Sequence, residues 1–146
     1  MNGVPPVLVA IGEPMIEFNQ VRADDPSTWL QGFGGDTSNM VIAAARLSRG
    51  VGFRTAYVSR IGNDSFGRML SSLWAREGID ASGVASDVQA PTGVYFVSHG
   101  PQGHAFSYLR AGSAPSLSAT IDAPSACSVS TIASGGRSPK SSRASS

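Results

Sequence analysis

Residues 32–39 read G-F-G-G-D-T-S-N, and M-V-I-A-A-A-R-L follows at 40–47. A glycine-rich turn runs straight into an acidic, hydroxyl-bearing helix start. Glycine lets the backbone take positive φ and lets a ligand approach closely. Asp36, Thr37 and Ser38 suit an N-cap, where short side-chain oxygens satisfy the free amides of the first turn. Behind them Met40, Ala44 and Leu47 fall at i, i+4 and i+7, so the pattern predicts a helix from Thr37 to about Ser48. Gly50 or Gly52 ends it.

Working outward, Val7 to Ile11 is a short apolar run closing on Gly12, the pattern of a buried strand. Glu13-Pro14 breaks it, and Met15 to Asn19 then alternates as a half-exposed strand does. Val21 to Thr28 is polar, holds Asp24, Asp25 and Pro26, and reads as a loop. Phe53 to Ser59 is a second core strand. Asp64 is placed to cap a helix from Ser65 to Glu77. Its stripe is Phe66, Met69, Leu70, Leu73 and Trp74, with Gly78 as the residue that stops it. This alternation favours an α/β sheet covered by helices. Val94 to Ser98 and Ala105 to Leu109 flank Gly100-Pro101-Gln102-Gly103, a hairpin signal. With the Met15 to Asn19 strand they form a small separate sheet in this reading. Period two puts Phe106, Tyr108 and Arg110 on one face.

Composition narrows the function classes. The chain has 146 residues, 41% hydrophobic and 14% charged, with a net charge of +1. That suits a globular protein with a real core and offers no basic stripe for nucleic acid. Cys127 is the single cysteine, so neither an intramolecular disulfide nor a cysteine-based zinc site is expected. The start lacks signal-peptide character, and no run approaches the ~20 apolar residues of a membrane span. A cytoplasmic protein is the expectation. From Ser118 onward the chain turns to Ser, Ala, Thr and Gly, and 119–146 is expected to be a disordered tail. The short Val129 to Ala133 patch is its one apolar interruption.

Several chemistries are excluded. A dinucleotide fingerprint needs a third glycine where Thr37 stands, and a phosphate-binding P-loop needs a lysine that is absent. His99 and His104 flank the hairpin turn without an evident third metal ligand, so exposed turn histidines are the simpler account. No nucleophile elbow supports a serine triad. Asp36 and Asn39 lie one turn apart and could hold neighbouring hydroxyls of a polyol or sugar, or serve as a plain cap and a surface residue. Tyr108 and Arg110 put a planar ring and a cationic fork on one strand face. That pair suits a carboxylate-bearing ligand, or forms an ordinary amphipathic edge.

Five blocks carry a family resemblance: V-A-I-G-E-P-M-I-E-F-N-Q, G-F-G-G-D-T-S-N-M-V-I-A-A-A-R-L, R-I-G-N-D-S-F-G-R-M-L, P-T-G-V-Y-F-V-S-H-G and H-A-F-S-Y-L-R-A-G-S-A. From about Val7 to Leu117 the chain resembles the PfkB, or ribokinase-like, carbohydrate kinases, most of all their 2-keto-3-deoxygluconate kinase branch. The resemblance implies the N-terminal part of a three-layer α/β/α sandwich with a small β-sheet lid over 1–118. It also implies that Gly35, Asp36 and Asn39 bind sugar hydroxyls, and that Tyr95, Tyr108 and Arg110 line the site of a sugar acid. ATP and Mg2+ are implied as cofactors, and lid strands pairing between subunits imply a homodimer. The family's G-A-G-D-like motif, which carries the catalytic base, occurs nowhere in these residues, and the nucleotide-binding segments are missing too. No catalytic residue is therefore assigned. The change of character near Ser118 resembles a frameshift in a sugar-kinase gene, giving a truncated, inactive product. The downstream DNA read in its other frames tests that expectation.

Overall fold

A computed structural model describes residues 5–116, which form seven strands and two helices. The predicted tail and its Val129 to Ala133 patch lie outside the described residues. The strands are β1 (Val7–Ile11), β2 (Met15–Arg22), β3 (Asp25–Gly34), β4 (Arg54–Gly62), β5 (Asp80–Asp87), β6 (Val94–Gly100) and β7 (Gly103–Leu109). The helices are α1 (Asp36–Ser48) and α2 (Ser65–Glu77).

Two sheets divide the strands. A parallel sheet runs β1-β4-β5, and a second runs β3-β2-β6-β7. In the second, β2 pairs antiparallel with β3 and parallel with β6, while β6 and β7 form the predicted hairpin. The separate lid sheet read from the sequence is present, with β3 as an additional edge.

The core lies between the parallel sheet and both helices. Alternation along β4 turns Tyr57 and Ile61 to one face, where they meet Ala10 of β1, Val41, Ile42 and Ala45 of α1, and Leu70, Leu73 and Trp74 of α2. Tyr57 and Trp74 are fully buried with ring centroids 5.0 Å apart. Burying rings of this size contributes roughly 1.5–3 kcal/mol each. Trp74 also donates its indole N–H to the buried Ser38 hydroxyl at 3.2 Å, tying α2 to the first turn of α1. Along β1, alternation leaves Val7 and Ile11 on the far side, 41% and 54% exposed. The described residues thus supply helices to one face of the sheet, two of the three expected layers.

Four sequence expectations change. The loop assigned to Val21 to Thr28 is instead the end of β2 and the start of β3, joined by a tight hairpin in which Arg22 pairs with Asp25. An edge strand of an exposed lid needs no apolar run, and it tolerates Pro26. There the Asp25 carboxylate accepts from the Ser27 and Thr28 hydroxyls, which lower its pKa to about 2. Second, Gly32 to Gly34 lie within β3, and the chain turns only at Gly35, with φ +95°. Third, the buried stripe of α1 is Ser38, Val41, Ile42 and Ala45, whereas Met40 and Leu47 are 45% and 75% exposed. The face carrying Val41, Ile42 and Ala45 packs on the sheet and on α2, which leaves Met40 and Leu47 turned to solvent. Fourth, β5 has the sequence DASGVASD, whose small polar residues carry no strand signal. It forms because β4 offers it a parallel edge, where Gly83 admits the Val58 side chain closely.

Candidate sugar-binding site

The two sheets meet where the chain leaves β1, and a cavity of about 530 Å³ opens there. Its lining is Glu13 and Met15 from the β1–β2 junction, Gly35, Asp36 and Thr37 from the start of α1, and Tyr95, Phe106, Tyr108 and Arg110 from the lid. The location is the crevice outside the carboxyl ends of parallel strands, where α/β folds bind ligands. Of the six residues singled out from sequence, five converge on it. Asn39 does not: it is exposed, a turn further along α1, and does not line the cavity.

The floor is set by close backbone approach. Gly35 is the N-cap of α1, and a Cβ there would run into the Glu13 carbonyl. A Cβ on Gly34 would strike the Tyr95 ring. These two glycines are thus what allow β3 and the lid to close on the helix start. The expected side-chain cap is not made: no side chain of the first turn caps α1. Thr37 instead shares a hydrogen bond with the Tyr57 hydroxyl at 3.1 Å, and Tyr57 in turn reaches the Gly12 carbonyl at 3.1 Å. Burial raises the Tyr57 pKa, so its hydroxyl keeps its proton. Among the described residues the Asp36 carboxylate has no hydrogen bond or ion pair. It is exposed on the cavity wall at the positive end of a helix, an acceptor in reserve.

The opposite wall is aromatic. Tyr95 and Tyr108 are cross-strand partners in the β6–β7 ladder, and their rings stack at 5.7 Å. Phe106 extends the row, 6.4 Å from Tyr108. The Tyr95 hydroxyl donates to the Glu17 carboxylate. Burial, then that carboxylate, drive its pKa well above the usual phenol range. Tyr95 therefore presents a ring face rather than a free hydroxyl. Arg110 closes the rim, its Nη1 3.2 Å from Glu13 Oε2.

Glu13, Met15, Thr37 and Phe106 line the cavity without having been assigned to it from sequence. Of these Glu13 is the charged one, and Glu13-Pro14 registered only as a strand breaker. A carboxylate at the end of a buried parallel strand was the available signal. Met15 gave none beyond its strand. Of the two histidines expected to be exposed turn residues, His104 is exposed but His99 is half-buried, its Nδ1 2.7 Å from His104 Nδ1 and its Nε2 2.8 Å from Asn19 Oδ1. Among the described residues no group of three potential metal ligands exists, and no helix is long and apolar enough to cross a membrane.

An α/β core with a small β sheet closing over one cleft matches the ribokinase-like fold, here in part. The profile of the pfkB family of carbohydrate kinases matches residues 6–139, and the chain belongs to that family. The match runs past the change of composition at Ser118. A 2-dehydro-3-deoxygluconokinase of Thermoproteus tenax is 37% identical over 116 residues, 75% of this chain and 34% of that protein. A probable fructokinase-4 of Arabidopsis thaliana is 33% identical over 121 residues, 80% of this chain and 36% of that protein. Among solved structures, fructokinase with bound ATP from Xylella fastidiosa superposes with a TM-score of 0.68 at 28% identity, covering 77% of this chain and 36% of that one. The chain thus spans about a third of the length of these relatives.

Proposed function

We propose that these residues form the sugar-binding part of an ATP-dependent kinase for 2-keto-3-deoxygluconate, a cytoplasmic enzyme, and that the family's phosphoryl-transfer motif is not among them. The observation that supports a sugar acid is the cavity's composition. One cationic fork, Arg110, stands on its rim beside two stacked tyrosine rings, across from an uncommitted Asp36 carboxylate. Asp36 accepts hydrogen bonds from sugar hydroxyls. The ring wall covers the apolar face of the sugar, and Arg110 receives the carboxylate. Gly35 and Asn39 are the remaining hydroxyl-binding candidates, Asn39 only if the first turn of α1 is approached from solvent.

The residues present do not fit ATP and Mg2+. Among the described residues Glu13 and Asp36 are the cavity's acidic lining, and its one cation, Arg110, is already paired. A triphosphate needs several donors converging, and phosphoryl transfer needs a positioned base. What this portion does is bind the sugar, orient it and exclude water beneath the lid.

Calorimetry with 2-keto-3-deoxygluconate and with fructose tests the reading. We expect the acid to bind more tightly, and Arg110→Ala to weaken it by roughly 10- to 100-fold, the worth of a charge-assisted pair. Fructose binding tightly with no effect of Arg110→Ala overturns the sugar-acid assignment. In a coupled ADP-release assay the 146-residue chain is expected to give no turnover, and measurable turnover sinks the division of labour proposed here.

A second reading, a non-catalytic module that dimerises through its lid, draws on β7. That edge strand is exposed along its whole length, with Phe106, Tyr108 and Leu109 each more than half exposed. A second copy pairing there satisfies its open backbone groups. A monomer in sedimentation at high concentration removes this reading.

A further inference from the structure

Arg110 is not a free cation in this cavity, because Glu13 holds it in a closed ring of contacts. Glu13 Oε2 lies 3.2 Å from Arg110 Nη1, and Glu13 Oε1 accepts from the Ser113 hydroxyl at 3.2 Å. The Ser113 amide bonds back to the Arg110 carbonyl at 2.9 Å, closing a turn through Gly112 at φ +76°. Ser113 is 1% exposed, so this anchor is fixed. Gly93 makes room for the carboxylate, since a Cβ there would stand 3.3 Å from Glu13 Oε1. The Glu13 side chain is 21% exposed and that of Arg110 54%, so the glutamate is the sheltered member and the guanidinium the one facing the ligand.

The charge balance follows. Among the described residues Glu13, Asp36 and Arg110 are the charged residues on the cavity wall, two negative against one positive. A ligand carboxylate must share Arg110 with Glu13 and enters a site that is net negative. A neutral sugar needs only the hydroxyl acceptors and the ring wall. We propose that Glu13 is the specificity-determining residue of this site: an internal competitor for Arg110 that sets how strongly a sugar acid is preferred over a neutral sugar. The inference rests on the sugar-binding reading above, and it addresses the choice between a sugar acid and a neutral sugar that the names of the 2-dehydro-3-deoxygluconokinase and fructokinase relatives pose.

Glu13→Gln keeps the shape and the acceptor for Ser113 while removing the charge. Titrated by calorimetry, 2-keto-3-deoxygluconate is expected to bind roughly three- to fivefold more tightly to this variant, the scale of one partly exposed charge pair. Fructose is expected to stay within about twofold, since it carries no charge for Glu13 to oppose. The gain shrinks when Arg110→Ala is added, because the competition for Arg110 is gone and only the direct repulsion between Glu13 and the ligand carboxylate remains to be relieved. Ser113→Ala loosens the ring but leaves the Glu13 charge, so the acid-to-fructose ratio stays near that of the parent chain. Near-ultraviolet circular dichroism of buried Trp74 reports that each variant is folded.

Weaker acid binding in Glu13→Gln, equal shifts for both sugars, or a ratio moved as far by Ser113→Ala overturns the inference while leaving the sugar site standing. Neither sugar binding to the parent or to any variant overturns both the site and the inference.

Discussion

The two helices begin with similar sequence and use it in opposite ways. Before α2, the Asp64 carboxylate accepts from the Gly67 amide at 2.7 Å and from the amide and hydroxyl of Thr92 at 2.8 and 2.9 Å. Both carboxylate oxygens are committed to structure, and the helix end is tied to the segment entering β6. Before α1 the N-cap is Gly35, with no side-chain cap, and Asp36 points its carboxylate at a cavity. A helix start normally wants its side-chain oxygens turned inward on its own amides. Where one is left out, its bonding capacity is available to a ligand. The cost of the missing cap is offset by Trp74, Tyr57 and Ser38, which lock the first turn of α1 by packing and hydrogen bonding instead.

The largest expected break in this contrast comes from Gly35→Ala. The residue sits at φ +95° against the Glu13 carbonyl. Backbone strain of this kind costs about 1–3 kcal/mol before any clash is counted. We expect at least about 3 kcal/mol lower unfolding free energy in urea and loss of sugar binding with it, because Gly35 holds Glu13 and Asp36 in one wall. A variant with the parent's urea midpoint and affinity contradicts the role given to this turn.

Asp64→Ala ranks second. It removes a cap, worth about 1 kcal/mol, and strands the Thr92 amide, worth a further 1–3 kcal/mol. Roughly 2–4 kcal/mol is expected to be lost, with affinity for the sugar nearly unchanged. The pH dependence has a definite sign. Burial works to raise the Asp64 pKa, but the amides of Thr92 and Gly67 and the Thr92 hydroxyl outweigh it and hold it below the usual value. A depressed folded pKa contributes stability above the unfolded value near ~3.9, and the contribution fades as pH falls through the folded value. The stability gap between the parent and Asp64→Asn should therefore be full at neutral pH and shrink below about pH 4. A gap independent of pH assigns the effect to shape rather than charge.

This contrast also explains what was legible in the sequence. Asp64, the stripe of α2 and Gly78 all follow local rules, and local rules found them. Gly78 takes φ +74° and its amide bonds the last turn. Tyr95, Tyr108 and Arg110 were recognised by family likeness, and period two alone put the last two on one face. What stayed hidden depends on neighbours. The strand β5 exists because β4 lends it an edge, and β3 because β2 does. The phase of α1 was misread because Met40 and Leu47 are as apolar as Val41 and Ile42, and only the sheet decides between them. Glu13 was invisible for the same reason. Its meaning comes from Arg110 and Ser113, ninety-seven and one hundred positions away.

Asp36→Ala is expected to have the smallest effect on stability and is the sharpest test of the contrast. Its carboxylate has no partner among the described residues, so folding loses only its interaction with the helix dipole, about 0.5 kcal/mol. Binding should respond differently. Losing an acceptor for sugar hydroxyls costs about 1–1.5 kcal/mol, close to tenfold in affinity. Because the change also removes one of two negative charges from the wall, a sugar acid should suffer less than fructose. Urea titration and calorimetry on one preparation measure both numbers. If stability falls as far as in Asp64→Ala, Asp36 is a structural cap after all. In that case the two helix starts are alike, and the cavity has lost its reserved acceptor.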